Sequence, residues 1–500
     1  MNLYRSKERS FFEIQGIKSQ NRLKKRAKHN YFALKKRALC NIICVEMIFM
    51  LWRKRQKDII EWIYNEKKAL LITGARQIGK TYLIKKTLEQ ENCDFVEFNL
   101  IKQPEIVKLL ESVSNDDCKT FLERLTIATT HDLKKGKTII FFDEIQEYKE
   151  IVTKIKFLVE EGSFKYVFSG SLLGVELTGL KSAPVGYLNT IEMFPLDFEE
   201  YIVALNIKRE TINKLKKSFD EKTKVDEFVH SRMIEAFKSY LLVGGMPEAV
   251  VSYINEADYN KVYNIHLSII EQYKLDFTKY ENEKRLKLKK IYDLIPAELA
   301  DKNKRYIFKD IEPNIKYDRY ENSFNWLIDA GVALPVYNVT EPRLPLLINS
   351  KSNLFKLFLS DIGMLTSLYG KTTQMAIMND DISLNCGAIY ENVVAQELNS
   401  HGFKAYYFNS HKQGELDFVV EYKDFVCPIE VKSGKDYTKH SALNNVINNK
   451  DYGIKNAFVF SNFNVEINGN IIYYPIYFIM FLEEQSFHLP KINKIDLSDL

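Results

Sequence analysis

The stretch Ala69–Lys86, ALLITGARQIGKTYLIKK, constrains this chain more than any other. An apolar run ends in Gly74, and Gly79, Lys80 and Thr81 follow after a short interval. The segment Gly74-Ala75-Arg76-Gln77-Ile78-Gly79-Lys80-Thr81 fits G-x-x-x-x-G-K-[ST]. The pattern predicts a strand, a glycine loop and a helix in that order. Each residue type has a task. Glycines let backbone N–H groups wrap a β-phosphate, the Lys80 ammonium reaches the β- and γ-phosphates, and the Thr81 hydroxyl ligates Mg²⁺. The helix after Lys80 points its positive end at the same anion. The bland alternative, a glycine turn without ligand, leaves this strand–loop–helix context unexplained.

Downstream, TIIFFDEIQ supplies an apolar strand, Thr138–Phe142, followed by Asp143 and Glu144. A buried strand ending in Asp sets a carboxylate at the sheet edge beside Mg²⁺, and Glu144 is the candidate to orient and activate an attacking water. The strand FKYVFSGS ends in Ser169 and Ser171, whose hydroxyls fall at the same edge. Ser169 is the candidate to touch a γ-phosphate or the water, with a simple ST-turn as its structural alternative. Strands alternate with helical patterns up to about residue 205. That alternation predicts a mostly parallel sheet covered on both faces.

A chain of 500 residues is too long for one ordinary core, and two to four domains are expected. Residues 1–46 carry twelve Lys/Arg against Glu8, Glu13 and Glu46, a net of +9 within a total of +5, which leaves −4 for the rest. The body is therefore not a strongly basic nucleic-acid binder. The tail reads as a disordered or loosely helical extension, with an upstream start and a natural beginning at Met47 or Met50 as one option. An RNA- or membrane-binding arm and a signal peptide are the weaker readings. No apolar run reaches the ~18–20 residues that span a bilayer, so no membrane partner is expected. The six cysteines form no CxxC pair, which fits a reducing cytoplasm.

From about 206 to 310 the pattern is helical, broken at VGGMPEAV. ENSFNWLIDAGVALPVYNV then reads as helix, glycine turn and strand, as in a small winged-helix unit. Near the end, Asp417 precedes a hairpin that returns through Glu430-Val431-Lys432. Strand alternation puts Glu430 and Lys432 on one face, with Asp417 on the neighbouring strand. Two carboxylates and a lysine can hold Mg²⁺ and polarise a water for phosphodiester cleavage. A cross-strand ion pair is the structural alternative. Glu391, on the helical pattern IYENVVAQEL, is a fourth candidate. The expected divisions are 1–46 basic tail, 47–205 P-loop core, 206–280 helical lid, 281–350 winged-helix-like unit and 351–500 linker plus C-terminal domain.

LLITGARQIGKT, IIFFDEIQ, VFSGS, IEMFPLDFEEYI and YLLVGGMPEAV, in this order, resemble a widespread group of prokaryotic ATP-binding proteins. That group joins an AAA-type P-loop domain to a C-terminal domain of unknown function. The resemblance implies an AAA+-like sheet and ATP, with Mg²⁺, rather than GTP. The helix Glu391, strand Asp417 and strand Glu430-x-Lys432 are similar to the restriction-endonuclease-like PD-(D/E)xK arrangement. Many members carry a Gly-Arg pair before the PL-F-E segment. This chain has Gly186-Tyr187, so no arginine finger is named, and Arg76 is the substitute candidate.

The expected fold is α/β: an AAA+-like P-loop NTPase domain with helical lid, winged-helix-like middle and PD-(D/E)xK-like end. Two functions follow from it. One is an ATPase that couples Mg-ATP binding and hydrolysis to nucleic-acid handling through the nuclease-like domain. The other is a regulatory or signalling NTPase whose end domain only binds protein or DNA. A homo-oligomer is compatible with both.

Deleting residues 1–46 should leave the Tm of the remaining chain unchanged. A drop of several degrees would show that the tail packs onto the fold, since ~1 kcal/mol shifts a midpoint by ~2–4 °C in domains of 150–250 residues.

Overall fold

The computed structural model describes residues 51–171, 186–277, 282–301, 304–311, 319–381 and 386–484. The basic tail lies outside them. Helix α1 (Gln56–Asn65) leads into β1 (Ala69–Thr73), followed by α2 (Lys80–Gln90), β2 (Phe95–Asn99), α3 (Pro104–Glu111), α4 (Cys118–Ile127), β3 (Ile139–Asp143), α5 (Ile151–Glu161), β4 (Lys165–Ser169) and β5 (Leu188–Glu192). The five strands pair in the order β2-β3-β4-β1-β5, and every pairing is parallel. The central strands ALLIT, IIFFD and KYVFS are buried along nearly their whole length. Near-continuous apolar runs are what a sheet covered on both faces requires.

Three rings cross this sheet one residue before its functional edge. Phe142 stacks on Phe98 at 5.5 Å and on Phe168 at 5.6 Å between centroids. The next residues along the three strands are Asn99, Asp143 and Ser169. Stacked aromatic pairs contribute about 0.5–1.5 kcal/mol beyond their burial, so this rung fixes the register of the polar residues just past it.

Next come α6 (Phe198–Ala204), α7 (Arg209–Glu221), α8 (Glu227–Val243), α9 (Pro247–Glu256), α10 (Tyr259–Asp276), α11 (Asn282–Ala300), α12 (Phe308–Ile311) and α13 (Glu321–Asp329). A capping box starts α6, in which the Asp197 carboxylate accepts from Glu200 N–H. The chain continues through β6 (Ala333–Val339), β7 (Ser350–Leu359), α14 (Ile362–Leu368), α15 (Lys371–Met378), α16 (Gly387–Ser400), β8 (Tyr406–Ser410), β9 (Gly414–Tyr422), β10 (Phe425–Val431), α17 (Ser441–Asn448), β11 (Ala457–Ser461), β12 (Glu466–Asn468) and β13 (Ile471–Pro475).

The last eight strands form one sheet in the order β12-β13-β11-β10-β9-β8-β6-β7. Here the structure differs from the expected division at 350/351. The strand of the winged-helix-like segment, β6, pairs with β7 on one side and in parallel with β8 on the other. The line between 350 and 351 therefore falls inside a sheet. The physical reason is that a strand's hydrophobic pattern shows which face is buried, not which neighbours accept its backbone hydrogen bonds.

The VGGMPEAV break joins the helices to this second half. Gly245 N–H donates to the Asp361 carboxylate at 2.6 Å, and Leu196 N–H donates to Gly245 O at 2.7 Å. Asp361 is fully buried and caps α14 through Met364 N–H. A Cβ built on Gly245 would lie 2.0 Å from Leu196 O. The nearest atoms are all backbone of Leu196, so no side-chain rotamer can relieve that clash. Gly245→Ala should therefore lower Tm by several degrees, through an overpacking cost of about 1–3 kcal/mol. Gly434→Ala, where nothing lies within 4 Å of the added Cβ, is the control and should leave Tm in place.

Candidate functional site

The phosphate-type loop is built as its sequence demands. Gly74, Gln77 and Gly79 take positive φ values of 127°, 64° and 88° between β1 and α2. At Gly74 a Cβ would meet Met193 O at 2.2 Å, so only glycine fits there. The Lys80 ammonium folds back onto the loop and donates to Gly74 O at 2.9 Å and Ala75 O at 2.7 Å. It is 8% exposed. Burial pushes it down to about 8, with Glu144 and Asp143 opposing that shift and Arg76 adding to it.

Because the strands are parallel, their C-terminal ends meet at one edge. There the Thr81 hydroxyl donates to Asp143 Oδ1 at 2.9 Å. Ser169 Oγ donates to the same oxygen, and Asn99 Nδ2 donates to Asp143 Oδ2 at 2.9 Å. A hydroxyl and a carboxylate of this kind are the oxygen donors that Mg²⁺ prefers. The residues present thus fit a Mg-nucleotide: a glycine cradle, an ammonium, and the Thr81–Asp143 pair. Glu144 is half-buried and held in the left-handed region (φ 60°). Its Oε2 accepts from Gln146 Nε2 at 2.6 Å.

Arg76 is engaged on two sides, with Nε donating to Ser171 Oγ at 3.0 Å and Nη1 paired with Asp276 at 2.6 Å. The last turn of α10 also touches the loop through Tyr273, whose hydroxyl donates to Arg76 O at 3.1 Å. Behind the loop, Arg53 donates to Ile78 O at 2.9 Å and to Glu200 at 3.0 Å.

The second group of candidates also comes together. Asp417 on β9 lies one step beyond the Ile429–Phe418 pair, opposite Glu430 of β10. Asp417 Oδ2 accepts from Val431 N–H at 2.8 Å, and Lys432 Nζ meets Glu430 Oε1 at 2.7 Å. Burial, and then Glu391 and Glu430, raise Asp417 well above the usual carboxylate range. Two lysines absent from the sequence reading join this cluster. Lys356 of β7, fully buried, lies 2.7 Å from Glu415 and 3.5 Å from Glu391. Lys304 pairs with Glu391 from the other side. Burial disfavours the Lys356 charge, but Glu391, Glu415 and Asp417 outweigh it and hold the ammonium above its ordinary value. Among the described residues, no group of three or more His, Cys, Asp or Glu side chains is set to hold a metal ion.

Sequence reasoning missed Asn99, Gln146, Arg53, Asp276, Lys304, Lys356 and Glu415. Gln146 had a local signal, since DEIQ places an amide two residues past Glu144. Asn99 had a register signal, because β2 also ends at the functional edge and Asn99 pairs with Asp143.

Residues 66–202 match the family described as AAA domain. Residues 234–375 and 386–479 match two families described as domains of unknown function, DUF8612 and DUF4143. The first of these runs across the expected lines at 280 and 350. No curated protein matches the sequence. Among solved structures, the chain is similar to the Walker-type ATPase of Pyrococcus abyssi at 15% identity and a TM-score of 0.39, over 64% of this chain and 96% of that one. Cdc6p of Pyrobaculum aerophilum gives 13% and 0.25, over 66% and 95%. A signal transduction ATPase with numerous domains from Pyrococcus horikoshii gives 15% and 0.25, over 70% and 46%. The AAA domain match and the parallel sheet make residues 66–202 an AAA-type α/β P-loop domain. Among the described residues, no helix is long and apolar enough to cross a membrane.

The Lys80 environment gives a pH dependence. In the free protein Lys80 loses its proton as pH rises through about 8. Nucleotide affinity should then fall, by roughly tenfold per pH unit once above that value. Calorimetry at pH 7 and pH 9 checks this. The stability contribution has the opposite sign. Between about 8 and the ordinary lysine value the unfolded chain binds more protons than the folded one, so the cost of burying the ammonium is relieved as pH rises through that window.

Proposed function

We propose that the chain is an AAA-type ATPase that binds Mg-ATP at Gly74–Thr81 and hydrolyses it with Asp143 and Glu144. One observation carries the reading: the Thr81 hydroxyl and the Asp143 carboxylate meet at 2.9 Å, directly after the Lys80 loop and at the carboxyl edge of a parallel sheet. Lys80 exchanges its loop carbonyls for phosphate oxygens. Mg²⁺, when bound, neutralises charge on those oxygens. Glu144, steadied by Gln146, accepts the proton of the attacking water, and Ser169 and Asn99 orient Asp143. Arg76 stabilises charge at the phosphate once it leaves Asp276.

Residues 206–280 serve as a lid whose α10 end rests on the loop at Arg76. Glu391, Asp417, Glu430 and Lys432 support a PD-(D/E)xK-like C-terminal domain, which also includes β6 and β7. The first reading couples the ATPase to nucleic-acid handling through this end. The second makes the end a docking module for protein or DNA. The second is favoured by Lys356 and Lys304, which already pair with the C-terminal carboxylates.

Lys80→Ala should abolish ATP binding in calorimetry, and undiminished affinity would sink the assignment. Glu144→Gln keeps shape and hydrogen bonding but removes the base. It should trap ATP at near-normal affinity while turnover falls by about 10²–10⁴-fold. Wild-type turnover would mean that another group activates the water.

A further inference from the structure

The nuclease-like carboxylates sit in a region that a metal-dependent enzyme would leave open to a cation. Here Lys356 enters that region from β7, a strand far from Asp417 in sequence. Its side chain has no exposed surface. Its Nζ contacts Glu415 at 2.7 Å and Glu391 at 3.5 Å and lies 5.1 Å from the centroid of the Tyr407 ring. Lys304 holds the other Glu391 oxygen. Asp417 Oδ2 is committed to a backbone N–H, and Glu430 Oε1 to Lys432. One buried carboxylate oxygen, Glu430 Oε2, has no hydrogen-bond partner.

We infer that the Lys356 ammonium is the resident cation of this cluster and that the site works without a divalent metal. The inference rests on the second reading above and gives it a structural cause. Charge counting supports it. Lys304, Lys356 and Lys432 face Glu391, Glu415, Asp417 and Glu430, so at most one negative charge is uncompensated. A divalent ion would turn this group net positive around the buried Lys356, Glu391 and Glu430, which the low-dielectric interior there opposes. Geometry agrees. A six- to eight-coordinate ion needs several free oxygens within about 2.0–2.6 Å, whereas both oxygens of Glu391 and of Glu415 and one each of Asp417 and Glu430 already have partners within the protein. The cluster binds its own strands together, and β7, not a metal, closes it.

The test uses the full chain with Lys80→Ala and Asp143→Asn, which disable the nucleotide site and its metal position. Failure of the ATP proposal therefore leaves this measurement intact. Mn²⁺ binding is followed by electron paramagnetic resonance, and nicking of supercoiled plasmid is followed with Mn²⁺ present. No bound Mn²⁺ and no nicking are expected. Mn²⁺ bound at one equivalent, or nicking, with either abolished by Asp417→Asn, overturns the inference. In the same background, Lys356→Met should acquire a Mn²⁺-dependent rise in Tm of several degrees that the parent lacks. An equal rise in the parent also overturns it.

Discussion

Helix α16 has no exposed residue from Ala388 to Leu398, so each polar side chain on it has to find a partner inside the protein. Asn392 accepts from Leu359 N–H at 2.9 Å and donates to Leu359 O at 3.0 Å. Gln396 accepts from Ile362 N–H and donates to the Tyr240 hydroxyl. Glu397 accepts from Phe198 N–H at 2.9 Å, and Glu391 is held by Lys304 and Lys356. One helix thus satisfies the end of β7, the start of α14, α8 and the start of α6. Leaving any one buried group unpaired costs about 1–3 kcal/mol, more for a charge.

The contacts do not stop at α6. Asp197, beside Phe198, pairs with Lys54 at 2.9 Å, and Glu200 pairs with Arg53. Arg53 in turn holds Ile78 O within the phosphate-type loop. The loop is therefore fixed from behind by an arginine that is 5% exposed. Breaking such a buried pair costs ~3–5 kcal/mol, because the remaining charge is stranded. The rigidity of the loop is paid for well away from it.

What was legible in the sequence follows from distance along the chain. Gly74–Thr81 was legible because phosphate chemistry demands fixed residue types at fixed spacing. Asp143 was legible because an apolar strand that ends in an acid has few other meanings. Asp417 and Glu430 were legible because a hairpin is local. Asn99 needed the pairing of β2 with β3, and Asp276 needed α10 to fold back across two hundred residues onto Arg76. Lys356 left a trace, a single lysine within the apolar run LFKLFL. A charge there must be paired if the strand is buried, but nothing local says with what.

The parallel pairing of β6 with β8, Tyr337 to Tyr406 and Val339 to Phe408, has a practical consequence for taking the molecule apart. A fragment cut at Cys386, where the last family match begins, would keep β8 through β13 and lose β6, which pairs with β8, together with β7 beyond it. The open edge would carry Tyr406, Tyr407 and Phe408 with their backbone groups unpaired, which is a template for intermolecular strand addition. Glu391 and Glu415 would lose Lys356 in the same cut. A piece that begins ahead of Lys304 keeps the edge paired and leaves Glu391 with both Lys304 and Lys356, so the C-terminal unit that closes its own sheet and charge is larger than its sequence signature.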